Sequence, residues 1–195
     1  MHLDYLNSTD TILMAKIFLI GFMGSGKSTV GRQLAAQLQY HFIDLDTLIE
    51  QQEKATIAQL FASKGESYFR EQEASHLRSV VKHERVVVAT GGGCPCYHDN
   101  MDWMNQHGIT VYLEASVKLL TDRLKMENVH RPLLQGKSYE ELSGFIQQKL
   151  SERIAYYDAA QVAVPAGADS SSAANPPRAI VPPSASKARG RARKA

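Results

Sequence analysis

A chain of 195 residues is long enough for one domain with a full hydrophobic core and too short for two of ordinary size. Its apolar and charged fractions, 44% and 22%, are those of a globular protein, and no apolar run approaches the roughly 20 residues of a membrane span. The net charge of +2 conceals an asymmetry: from residue 163 onward six Lys or Arg face the single acid Asp169, leaving 16 basic and 19 acidic residues before them.

Residues 1–14 read as an N-terminal extension without the basic and apolar regions of a secretion signal. KIFLI (16–20) is a strand, followed by GFMGSGKS and a helix through VGRQLAAQL. HFIDL (41–45) is a second strand. Thr56 and Gln59 form a capping box before one helix, and another runs through FREQEASHLRSVVKH. VVVAT (86–90), β-branched and followed by GGG, has the character of a buried parallel strand ending in a tight turn.

Cys94 and Cys96 come next, in C-P-C, too few for a four-ligand zinc site and poorly spaced for a disulfide. They are expected to be reduced thiols of a cytoplasmic protein. DNMDWMNQHG is a helix closing on Gly108, ITVYLEA (109–115) a strand, and SVKLLTDRLKM a further helix. HRPLLQGKS breaks the pattern. Ser138 and Glu141 then open a long helix whose apolar stripe runs Leu142, Phe145, Ile146, Leu150, Ile154, Tyr157. VAVPA is the last strand.

This alternation predicts an α/β fold: three layers, α/β/α, around a central parallel sheet of about five strands, in one domain over residues 15–164. Residues 165–195 are Ala, Ser, Pro, Gly and Arg with few large apolar side chains, and read as a disordered basic tail. KARGRARK within it lacks interleaved aromatics, so no specific nucleic-acid partner is expected.

Glycine weakens the interior of a strand or helix, so three of them in GFMGSGKS need a reason other than packing. The spacing G-x-x-x-x-G-K-S supplies it. The amides of Gly24, Ser25 and Gly26 can line a nest for a phosphate, Lys27 can reach the β- and γ-phosphates, and the Ser28 hydroxyl can bind Mg²⁺. In FIDLD, Asp44 and Asp46 stand two apart at a strand end, so both side chains are expected to point the same way. Like charges so placed call for a cation or a polar substrate between them, one acid holding Mg²⁺ through water and the other meeting an attacking hydroxyl.

GFMGSGKST, FIDLD, GESYFREQE, ATGGG, RPLL and ERIAYY, in that order, resemble the shikimate kinase family over residues 15–164. The resemblance implies a P-loop NTPase fold with a lid, and transfer of the ATP γ-phosphate to the 3-hydroxyl of shikimate with Mg²⁺ as cofactor. It implies that Arg70 and Arg153 hold the shikimate carboxylate, that Gly91, Gly92 and Gly93 approach the ring, and that Asp46 positions its 3-hydroxyl. It further implies that Arg131, in the lid, neutralises charge on the phosphates, that Thr29 joins the ATP contacts with Arg123 near the adenine, and that Asp44 reaches the metal through water. Family members are usually monomeric and cytoplasmic, and no membrane partner is implied.

The expected adenine loop and closing helix are not legible after Val164, where the low-complexity tail stands instead. Two alternatives keep the phosphate loop: a kinase of the same fold for gluconate or a nucleotide, and an ATP-binding module without catalysis.

Overall fold

The computed structural model describes residues 16–126 and 136–167, together with the backbone of the two-residue strand Arg178–Ala179. Along β1 (Lys16–Ile20), Phe18 and Ile20 enter one hydrophobic cluster and Leu19 another, the two-residue alternation of a strand buried on both faces. β3 (Val86–Ala89) repeats this, with Val86 and Val88 on the larger side and Val87 on the smaller. The smaller cluster is closed by Ala35 of α1 (Lys27–Leu38).

The larger cluster takes side chains from α2 (Leu45–Glu53), α3 (Ile57–Ser79), α4 (Asn100–His107), α5 (Val117–Met126) and α6 (Tyr139–Tyr157). With β2 (His41–Asp44), β4 (Ile109–Glu114), β5 (Val162–Pro165) and β6 (Arg178–Ala179), the sheet order is β2-β3-β1-β4-β5-β6. The first five strands are parallel, as expected, and β6 pairs antiparallel with β5. The chain steps outward from β1 to β2, returns through β3, then crosses β1 to β4. The carboxyl ends of β1 and β3 therefore form the topological switch point where such sheets bind ligands.

Both capping boxes form, Thr56 with Gln59 and Ser138 with Glu141. The two helices expected between residues 56 and 83 are arms of α3, bent at Gly65 (φ 83°, ψ 170°). Three readings need correction. β2 ends at Asp44, and the unforeseen α2 starts at once, because the Asp44 carboxylate caps it by accepting from the Thr47 amide at 3.3 Å. Asp44 and Asp46 are therefore not a same-face strand pair: one is an N-cap, the other lies in the first helical turn. Within the segment read as a disordered tail, Arg178–Ala179 adds the edge strand β6. No described helix is long and apolar enough to cross a membrane.

Candidate active site

The loop between β1 and α1 turns on Gly24 (φ 79°) and Gly26 (φ 96°), left-handed conformations that a side chain would strain. Gly26 is the N-cap of α1, so the loop delivers its backbone to the positive end of a helix. Lys27 is buried, and its ammonium donates to the carbonyls of Gly21 (2.9 Å) and Phe22 (2.8 Å). The Ser28 hydroxyl donates to Asp44 at 2.5 Å. A hydroxyl and a carboxylate at a phosphate loop are oxygen donors of the kind a hard divalent cation takes, so the pair fits Mg²⁺. Arg123, on α5, donates to the carbonyls of Gly24 (3.0 Å) and Ser25 (3.2 Å), bracing the loop from outside.

The glycine turn after β3 lies alongside. A Cβ on Gly92 would sit 3.2 Å from the Met23 amide, 3.5 Å from the Gly21 carbonyl and 3.5 Å from Arg153 Nη1. A Cβ on Gly91 would meet Glu73 Oε1 at 2.5 Å and Asp46 Oδ1 at 2.8 Å, and one on Gly93 would meet the Arg70 guanidinium at 2.8 Å. The turn is thus the meeting point of Asp46, Arg70, Glu73 and Arg153, and its middle residue touches the phosphate loop. Sequence-predicted residues from four separate segments converge on one rim. Arg131 lies outside the described residues.

Arg70 is buried, although Glu71 follows it directly in the sequence. Its guanidinium pairs with Glu66 (3.0 Å) and Glu73 (2.8 Å) and lies over the Tyr97 ring at 4.3 Å. Arg153 packs over Phe22 at 5.4 Å. Glu73 Oε1 and Arg153 Nη1 are buried and find no hydrogen-bond partner among the described residues. A donor and an acceptor left unpaired at one place are costly unless a ligand satisfies them.

Glu73 is the residue at this turn that sequence reasoning passed over. Its signal was position: with Phe69 and Leu77 it falls on the buried stripe of α3, where an acid needs a reason. Burial pushes its carboxyl up to about 7, against the pull of Arg70 and with a further push from Asp46. The folded state therefore holds a proton that the unfolded chain releases near pH 4.5. Stability present below that value is lost as pH rises toward 7, by at most about 3 kcal/mol. Urea unfolding at pH 5 and pH 8 should show the wild type losing this much relative to Glu73→Gln. A difference between the two proteins that stays constant with pH would refute the assignment.

A glycine-rich phosphate loop joining the first strand to a helix, at the switch point of a 2-3-1-4-5 parallel sheet, defines a P-loop kinase fold. The family model for shikimate kinase matches residues 23–180, reaching past Val164 to include β6. The shikimate kinase of Bacteroides fragilis is 47% identical over 144 residues, which are 74% of this chain and 80% of that one. Among solved structures, shikimate kinase from Bacteroides thetaiotaomicron superposes with a TM-score of 0.76 at 45% identity, covering 78% of this chain and 86% of that one. The Acinetobacter baumannii shikimate kinase, solved in complex with shikimate, gives 0.69 at 36% identity over 76% and 81% of the two chains. The chain belongs to the shikimate kinase family, a family of ATP-dependent phosphotransferases.

Proposed function

We propose that the protein transfers the γ-phosphate of ATP to the 3-hydroxyl of shikimate. The observation that carries this reading is the close approach at Gly92, where the phosphate-loop backbone and Arg153 Nη1 both come within 3.5 Å of the place a Cβ would take. Arg70, which is buried, and Arg153, whose Nη1 is buried and unpaired, suit one carboxylate, and Arg70 is held in place by Glu66 and Glu73. Asp46 is the partner for the ring hydroxyl, with the backbone of Gly91, Gly92 and Gly93 against the ring.

On the nucleotide side, Lys27 leaves the carbonyls of Gly21 and Phe22 for the β- and γ-phosphates, while the amides of Gly24, Ser25 and Gly26 line the phosphate chain. Ser28 and, through water, Asp44 would hold Mg²⁺, which supplies charge neutralisation on the phosphates when bound. Thr29 and Arg131 complete the ATP contacts, and Arg123 serves by bracing the loop. In the transfer, the substrate oxygen forms a bond to the γ-phosphorus, the bond to the β,γ-bridging oxygen breaks, and the hydroxyl proton passes to Asp46 or to water. Positioning and charge neutralisation do most of the work in such reactions.

A coupled ADP-release assay with shikimate, gluconate and nucleoside monophosphates tests this, and only shikimate should drive turnover. Arg70→Ala should raise the shikimate KM by about 30-fold or more, since it removes one member of a buried charge pair. Turnover independent of shikimate would overturn the proposal, and an unmoved KM would remove Arg70 from the site.

A further inference from the structure

The turn Gly91–Gly92–Gly93 has three carbonyls to satisfy. That of Gly91 accepts from the Cys94 amide (3.1 Å) and that of Gly93 from the Cys96 amide (2.9 Å), both within the 3₁₀ turn that follows. The Gly92 carbonyl, between them, accepts from the Tyr157 hydroxyl at 2.5 Å, from the far end of α6. Tyr157 itself is fixed. It is fully buried, its ring stacks on Tyr112 with centroids 5.1 Å apart, and its hydroxyl has the Arg153 guanidinium beside it. Arg153 and Tyr157 stand four residues apart on α6, hence on one face, and both face Gly92: Tyr157 bonds its carbonyl, and Arg153 Nη1 lies 3.5 Å from where its Cβ would sit.

A peptide flanked by glycine on both sides meets the least steric resistance to flipping. Because the peptide unit is planar and trans, fixing the Gly92 carbonyl also fixes the Gly93 N–H, which points away from Tyr157. We propose that the Tyr157 hydroxyl is a positioning residue for the substrate half of the site, locking the Gly92–Gly93 peptide in one orientation beside Arg70 and Arg153. This rests on the reading of that half-site as the shikimate pocket. Burial pushes the phenol up from its ordinary value despite Arg153, so the hydroxyl stays a donor throughout the working range.

Tyr157→Phe removes the hydroxyl and keeps the ring that stacks on Tyr112. In the full chain, the shikimate KM should rise about tenfold with the ATP KM unchanged, the effect of one lost hydrogen bond on a buried carbonyl. The Gly93 amide of the ligand-free protein should also show new microsecond-to-millisecond exchange by ¹⁵N relaxation dispersion. A purely structural role would raise both KM values together or neither, and an unmoved shikimate KM with a quiet Gly93 amide would overturn the proposal. Wild-type protein that ignores shikimate, beside a variant whose Gly93 amide does exchange, would leave the lock standing and sink the substrate assignment instead.

Discussion

Lys27→Ala is expected to lower kcat by about 10³-fold or more while the protein still folds. Removing one preorganised donor to transition-state charge costs about 10²–10³ in other enzymes, and a full ammonium cation on the phosphates carries more than a neutral donor does. Lys27 opens α1, and the carbonyls of Gly21 and Phe22 accept from its ammonium. Truncation leaves those two acceptors at the loop rim without the ammonium, a loss of roughly 1–3 kcal/mol that is offset by no longer burying a charge. Calorimetry should therefore find a melting temperature within a few degrees of wild type, on the scale a loss of that size produces. Lys27→Arg should not restore turnover, because a planar guanidinium cannot occupy the point between two carbonyls that the compact ammonium fills. A kcat within tenfold of wild type for the alanine variant would show that the phosphates are handled elsewhere.

The phosphate loop was legible because its information is local. Glycines at fixed offsets, a lysine and a hydroxyl are set by eight consecutive residues, and the strand and helix on either side follow from periodicity. The substrate half depends on contacts between distant segments, and there the reading was thinner. The sequence sets Arg70 beside Glu71 and Glu73 without ranking them; only packing shows that Glu73 is buried under it, with one oxygen at the Gly91 turn beside Asp46. Tyr157 read as the last residue of an apolar stripe, which it is, but a phenol also carries a donor, and its partner is 65 residues away. The acids of FIDLD were misplaced for a different reason. A helix that begins with its own N-cap at a strand end leaves no gap for the strand-to-helix switch to show. β6 escaped because two residues carry no period at all.

Asp46→Asn is the second large effect, and its interest lies in what it leaves alone. Asp46 stands in the first turn of α2, and its carboxylate faces the Gly91 turn together with Glu73. The amide keeps the shape but loses the charge and one acceptor, so kcat should fall by about 10²–10⁴, the range for a positioned proton acceptor. The ATP KM should stay close to the wild-type value. A fall near the lower end means that Asp46 chiefly orients the hydroxyl, as a loose phosphoryl-transfer transition state permits, and one near the upper end means that it also takes the proton. The same substitution acts on Glu73. Without the neighbouring charge that helps to raise it, the Glu73 carboxyl should ionise at lower pH, so the stability lost between pH 4.5 and 7 should shrink. Two separate measurements, turnover at saturating ATP and urea unfolding against pH, thus read one contact from its two ends. Parallel loss of ATP affinity and turnover, with an unaltered pH profile of stability, would place Asp46 on the nucleotide side and away from Glu73.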